Sequence, residues 1–226
     1  MEENVLILGA TSDMAVAIAR QLALEGYSIT LAARNTERLQ ALEGDLRVRY
    51  KVNVSSARFD ALDFANHQSF YDALPEKPDV VVCVFGLLGE QTTAQQDWQH
   101  AHLIIDSNYT GAASILNMIA NDFERRKKGV IVGISSVAGD RGRQSNYFYG
   151  SAKAGFTAYL SGLRNRLYHQ GVHVVTVKPG FVKTRMTENL STPGPLTASP
   201  KSVAQKISGA IRKKSNTVYV LSIWAL

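Results

Sequence analysis

Tyr149, Lys153 and Ser136 are the residues whose types and spacing could do chemistry in this chain. Tyr149 and Lys153 stand at i and i+4, so a helix presents both on one face, with Cβ atoms roughly 5–6 Å apart. A tyrosine phenol ionises near pH ~10, too high for proton exchange at neutral pH. Bringing it to about 7 takes roughly 4 kcal/mol of preference for the phenolate, at about 1.4 kcal/mol for each tenfold change. An ammonium about 6 Å away, at an effective dielectric near ~20, contributes roughly 2.8 kcal/mol of that. Ser136 follows an apolar run, and its hydroxyl could hold a substrate oxygen while the phenol protonates it. The chemistry suggested is proton delivery to a polarised oxygen. Taken alone, the Tyr–Lys pair has a plain alternative, a solvated lysine beside a half-buried tyrosine.

The three side chains must be brought to one place, and the chain carries elements to do so. Residues 130–134 are apolar and bounded by Gly129 and Ser135-Ser136, which reads as a fully buried strand of a parallel sheet. A Gly-, Arg- and Ser-rich loop follows, and a helix opening at about Ser145 carries Tyr149 and Lys153 to about Gln170. Near the N-terminus, residues 4–8 read as a short buried strand ending at Gly9. After it, Met14, Ile18, Leu22 and Leu24 recur at roughly helical spacing up to Gly26. Strand, glycine turn and helix make the first half of a dinucleotide-binding βαβ unit, with a pyrophosphate resting on the N–H groups of the helix start. Further strands are expected at 27–33, 54–59, 80–85, 172–177 and 218–221. Helices are expected at 36–50, 95–127 (interrupted near Asp106) and 199–214. This alternation predicts one α/β domain over 1–226, a Rossmann-type doubly wound fold whose seven-stranded, mostly parallel sheet has helices on both faces.

Tyr-x-x-x-Lys with an upstream serine, here Tyr149, Lys153 and Ser136, resembles the mark of the short-chain dehydrogenase/reductase family. The resemblance covers nearly the whole chain, and further motifs fall in the family's order. Gly9 matches the first glycine of its Thr-Gly-x-x-x-Gly-x-Gly fingerprint, while Asp13 and Ala15 replace the other two. Ala15 is a mild change; Asp13 brings a carboxylate near a pyrophosphate unless it points away, as a helix cap would. Thr11, Ser12 and Met14 complete that loop. The second strand ends in Ala33-Arg34 instead of an acidic residue, and Arg34 can pair with a 2′-phosphate, so NADP(H) is favoured over NAD(H). The alternative for Arg34 is a loop cap. Asp60-Ala61 matches the family's adenine contact. Gly86 retains the glycine of an Asn-Asn-Ala-Gly motif whose other positions are here Cys83, Val84 and Phe85. The resemblance gives Asn108 the water-binding role that completes a proton relay with Ser136, Tyr149 and Lys153. It also puts Tyr149 and Lys153 at the nicotinamide ribose, and a positively charged nicotinamide would help to lower the tyrosine's pKa. Pro179, Gly180, Val182 and Thr184 would meet the carboxamide end, and residues 185–200 would form a substrate lid. The Gly-Ala-Thr-Ser-Asp start and the Ala-Gly-Asp-Arg-Gly-Arg stretch at 138–143 are similar to decaprenylphosphoryl keto-sugar reductases, with Arg141 and Arg143 facing a substrate phosphate or solvent.

Composition limits the alternatives. With 226 residues, 45% apolar and 8% aromatic, the chain can bury one sizeable core. No apolar run reaches the ~18 residues of a membrane span, and a lone Cys83 fits a reducing compartment, so a cytoplasmic protein is expected. A net charge of +6 suits a phosphorylated cofactor or an anionic surface. Its two clusters, at 125–128 and 212–214, read as helix C-termini. No metal site and no nucleic-acid partner are expected. The apolar end at 218–226 reads as a last core strand, with a membrane foot as the alternative. The small residues Gly150, Ser151, Ala152, Ala154 and Gly155 would let a second copy approach, giving a homodimer or homotetramer. The function expected is an NADP(H)-dependent oxidoreductase interconverting a carbonyl and a secondary alcohol. The alternatives are a non-catalytic NADP(H) sensor or scaffold, and an epimerase or dehydratase, for whose substrate domain little chain remains after Pro179. The substrate itself is not legible.

Overall fold

The computed structural model describes residues 3–188 and 193–225. In chain order the strands are β1 (Asn4–Leu8), β2 (Ser28–Ala33), β3 (Val54–Arg58), β4 (Val80–Cys83), β5 (Gly129–Ile134), β6 (Val172–Lys178), β7 (Phe181–Val182), β8 (Thr197–Ala198) and β9 (Thr217–Tyr219). The helices are α1 (Asp13–Leu24), α2 (Gln40–Tyr50), α3 (His67–Asp72), α4 (Gln91–Gln96), α5 (Trp98–Ile105), α6 (Gly111–Arg126), α7 (Tyr147–Leu167) and α8 (Pro200–Lys213). Seven strands form one sheet in the order β3-β2-β1-β4-β5-β6-β9, and every neighbouring pair is parallel, where the sequence suggests mostly parallel. The order reverses between β1 and β4, and in such sheets ligands bind beyond the strand C-termini at that point.

The sheet is buried on both faces because its strands are apolar at consecutive positions. On β1, Val5 and Ile7 join the core packed by α1 and α8, whereas Leu6 and Leu8 join the core packed by α6 and α7. On α1 the buried positions are Ala15, Ile18, Ala19, Leu22 and Ala23. Leu24, read from the sequence as part of that stripe, is instead 66% exposed, because two residues past Leu22 it lies about 200° round the helix from it. A side chain at Gly133 would run into Leu160 and Phe156, so its absence lets α7 lie close on β5.

The interruption near Asp106 is a five-residue π-turn, Asp106–Thr110, between α5 and α6; such turns recur at functional positions. Both basic clusters do fall at helix C-termini, where Lys127 and Lys214 adopt the left-handed conformation. The last strand is shorter than expected. After Tyr219 the chain forms a 3-10 turn, Ser222–Ala225, whose Trp224 packs against Gly180 and edge-on to Phe181, centroids 6.0 Å apart. Of the predicted lid, 189–192 lie outside the described residues; the rest forms 3-10 turns at Arg185–Thr187 and Gly194–Leu196 and the β8 strand. Among the described residues no helix is long and apolar enough to cross a membrane.

Candidate active site

β5 ends at Ile134, which places Ser135 and Ser136 at the C-terminal edge of the sheet centre. Ser135 Oγ donates to the Lys153 carbonyl at 2.9 Å and shares a 2.7 Å hydrogen bond with Thr157 Oγ1, fastening α7 to the end of β5. Ser136, also buried, accepts from the Ala138 N–H at 3.1 Å, and its hydroxyl is near enough to the Tyr149 phenol to favour the phenolate. α7 begins at Tyr147, two residues later than expected, and carries Tyr149 and Lys153 inward. Lys153 is 4% exposed; its Nζ donates to the Ile134 carbonyl at 3.0 Å and lies 5.7 Å from the Tyr149 ring centroid. Asn108, in the π-turn, is fully buried. Its amide donates to the carbonyls of Leu87 at 2.6 Å and Ile104 at 2.8 Å, and its Oδ1 accepts from the Leu87 N–H at 3.3 Å. A poor helix former is thus held mid-helix by three bonds to backbone. Gly86 joins the two groups: a Cβ there would sit 2.6 Å from Asn108 Oδ1 and 3.3 Å from Lys153 Nζ. The structure therefore brings all four sequence-predicted catalytic side chains into one neighbourhood.

The electrostatics differ from the sequence expectation in one respect. Helix geometry alone has Lys153 lowering the Tyr149 pKa, but burial pushes the phenol above its ordinary range, and only the Ser136 hydroxyl acts against this. The ammonium is itself brought down to about 8 by burial, with the underlying Cys83 opposing. The reason is dielectric: a dry site disfavours phenolate and ammonium alike. Cys83 obeys the same rule, its thiol pushed up to about 12.

Beside these residues, at the reversal of strand order, lies a cleft of about 270 Å³. Its walls include the sequence-predicted Gly9, Thr11, Ser12, Asp13, Met14, Arg34, Asp60, Ala61, Gly86 and Thr184. Gly9 has φ +89°, and any Cβ would lie 2.8 Å from Phe85, so the turn needs glycine twice over. Ser12 caps α1, accepting from the Ala15 N–H at 3.1 Å. Asp13 is therefore not the cap; its carboxylate turns to Arg185. Arg34 is exposed at the end of β2 and forms no ion pair among the described residues.

Five predicted cofactor contacts are not among the walls of the cleft: Tyr149 and Lys153 stand beside it, meeting it only through Gly86, and three others are engaged elsewhere. Pro179 accepts from the Val137 N–H, Gly180 lies against Trp224, and Val182 is buried in the core while its carbonyl accepts from Thr187 Oγ1 at 2.5 Å. The predicted role of the small residues on α7 is also partly taken up within the chain. A Cβ at Gly150 would lie 2.7 Å from the Ala138 carbonyl, and one at Gly155 would lie 3.5 Å from the Tyr109 ring.

Sequence reasoning missed Phe59, Leu103 and Ser107 as walls of the cleft; it placed Met186 only in the lid, and Val84 and Phe85 only as replacements within the motif that ends in Gly86. The signal shared by Phe59, Val84 and Phe85 is position, since they directly follow the C-terminal ends of β3 and β4. It also missed an ionic cluster under the loop after Ser136. Lys178 Nζ donates to Asp140 Oδ1 at 2.5 Å, and the Tyr219 hydroxyl donates to Asp140 Oδ2 at 3.0 Å. The neighbouring Arg141 and Arg143 are exposed.

The short chain dehydrogenase family model matches residues 3–194. An uncharacterized oxidoreductase of Mycobacterium tuberculosis is 37% identical over 225 residues, covering 98% of this chain and 89% of the relative. Among solved structures, a short-chain dehydrogenase from Sphingobium yanoikuyae in complex with NADPH superposes with a TM-score of 0.88 at 22% identity, covering 99% of this chain and 91% of the other. A single-substitution variant of actinorhodin polyketide ketoreductase with NADPH gives 0.85 at 24% identity, covering 97% of this chain and 95% of the other. The chain belongs to the short-chain dehydrogenase family, and it is an oxidoreductase.

Proposed function

We propose that this enzyme interconverts a carbonyl and a secondary alcohol with NADP(H), Tyr149 serving as general acid and base. The observation that carries the reading is the gathering of Ser136, Tyr149 and a buried Lys153 ammonium at the end of β5, next to a cleft that suits a dinucleotide. The fit rests on the Gly9 turn, which has no room for a side chain, and on the N-terminus of α1, which follows that turn and lines the cleft. The exposed guanidinium of Arg34 at the end of β2 suits a 2′-phosphate and favours NADP(H) over NAD(H). Asp60 and Ala61 meet the adenine, and Thr184 the nicotinamide end. When bound, the reduced nicotinamide supplies the hydride.

Ser136 holds the substrate oxygen, and Tyr149 gives it a proton as negative charge develops there. A phenol held protonated by burial is in the correct state to act as acid. Once the phenolate forms, the Lys153 ammonium stabilises it across a dry gap, where a charge pair counts for far more than in water. Asn108, next to Lys153 through Gly86, fixes the backbone at Leu87 and closes the relay. Pro179, Gly180 and Val182 would support the segment that carries Thr184 without touching the cofactor themselves.

Arg141 and Arg143, exposed on the loop after Ser136, suit an anionic substrate group, and a keto-sugar or lipid-linked keto-sugar is the substrate class we favour. The chain acts as a homodimer or homotetramer in this reading. Fluorescence titration with NADPH and NADH, followed by a ketone panel containing sugar-linked members, tests it. Tighter NADPH binding and ketone-dependent NADPH oxidation are expected; NADPH binding without oxidation by any ketone would leave a non-catalytic binder.

A further inference from the structure

Asp13 stands where the family fingerprint has a glycine, at the first position of α1, and it lines the cleft. A carboxylate there faces the place a pyrophosphate takes, and alone it would repel that anion. It is not alone. Arg185, 172 residues away in sequence, donates its backbone N–H to Asp13 Oδ2 at 2.8 Å and its Nε to Oδ1 at 3.0 Å. Its Nη2 donates to the Thr11 carbonyl at 2.8 Å. The residues flanking it, Thr184 and Met186, are walls of the same cleft. One guanidinium thus ties the glycine turn to the segment on the facing wall. Both side chains reach solvent, at 58% and 33% exposure, and an ion pair so placed contributes little to folding. Its location, not its stability, explains its presence.

We propose that Asp13 and Arg185 work as one unit in dinucleotide binding: the carboxylate positions the guanidinium at the pyrophosphate end of the cleft, and the guanidinium cancels the carboxylate's repulsion of that anion. The pair replaces the glycine and rests on the reading that the cleft holds NADP(H). It makes Arg185 necessary only while Asp13 is charged, so the two substitutions must be strongly non-additive.

The experiment is a double-mutant cycle on the full chain, reading NADPH and NADP⁺ dissociation constants by fluorescence and calorimetry, with thermal melting to verify folding. Arg185→Gln should weaken NADPH binding by about 30-fold, which is about 2 kcal/mol. Asp13→Asn should change it by less than about threefold, and the double variant should return to within about fivefold of wild type. A double variant as weak as Arg185→Gln, or an Arg185→Gln protein that binds like wild type, overturns the pairing while the reductase reading stands. A wild-type protein that binds neither dinucleotide overturns both.

Discussion

Lys153 should be a liability for folding, and replacing it with methionine measures how large. The ammonium is 4% exposed, and burial brings its pKa from 10.5 to about 8. At about 1.4 kcal/mol for each tenfold change, keeping that proton at pH ~7 costs the folded state about 3 kcal/mol. Lys153→Met removes this cost but leaves the Ile134 carbonyl without its 3.0 Å donor, a loss of about 1 kcal/mol. The net is a gain of about 2 kcal/mol, or a rise in Tm of about 4–8 °C for a chain of this length. The sign also fixes a pH dependence. Between pH 8 and 10.5 the unfolded lysine binds more protons than the folded one, so wild-type stability gains from Lys153 as pH rises through that window. Cys83, Tyr149 and Tyr159, all pushed up by burial, act oppositely at higher pH, but they do so in both proteins. Urea unfolding of both from pH 7 to 9 is the assay. The variant's advantage should shrink by about 1 kcal/mol across that interval. A variant less stable than wild type at pH 7, or an advantage independent of pH, would refute the burial reasoning.

Two further substitutions probe the walls of the site. Arg34→Ala removes a bidentate partner for a 2′-phosphate, so the NADPH dissociation constant should rise about 10–100-fold while that for NADH moves less than about threefold; equal losses for both would assign Arg34 to the loop alone. Gly86→Ala puts a methyl group 2.6 Å from Asn108 Oδ1 and 3.3 Å from Lys153 Nζ. Overpacking there should cost about 1–3 kcal/mol in a melting experiment and lower turnover, and an unchanged Tm would show that Asn108 yields freely.

Most of the fold was legible because its strands are unusually plain. β1, β4 and β5 are apolar runs between turn residues, β6 is rich in valine, and the 3.6-residue stripe of α1 needed correction only at Leu24. Ser136, Tyr149 and Lys153 were singled out by residue type and spacing and Asn108 by the family resemblance, and the structure gathers the four at the end of β5. What escaped was of two kinds. Phe59, Val84 and Phe85 line the cleft through their place beyond strand ends, and nothing in their type distinguishes them from core residues. The Asp13–Arg185 and Asp140–Lys178 pairs join residues far apart in sequence, which one sequence cannot pair. The direction of the Tyr149 shift escaped for a third reason. A charge at about 6 Å can be reckoned from helix geometry, whereas the desolvation that outweighs it depends on tertiary packing, Tyr149 lying against the apolar cluster of Ala94, Ala101 and Ile104.

The most direct test is single-turnover oxidation of bound NADPH by a ketone, comparing wild type with Tyr149→Phe. Loss of a positioned general acid should slow the chemical step by about 10²–10⁴-fold, with the NADPH dissociation constant unchanged within about threefold. A phenylalanine variant that oxidises NADPH at the wild-type rate would contradict the assignment of the proton to Tyr149.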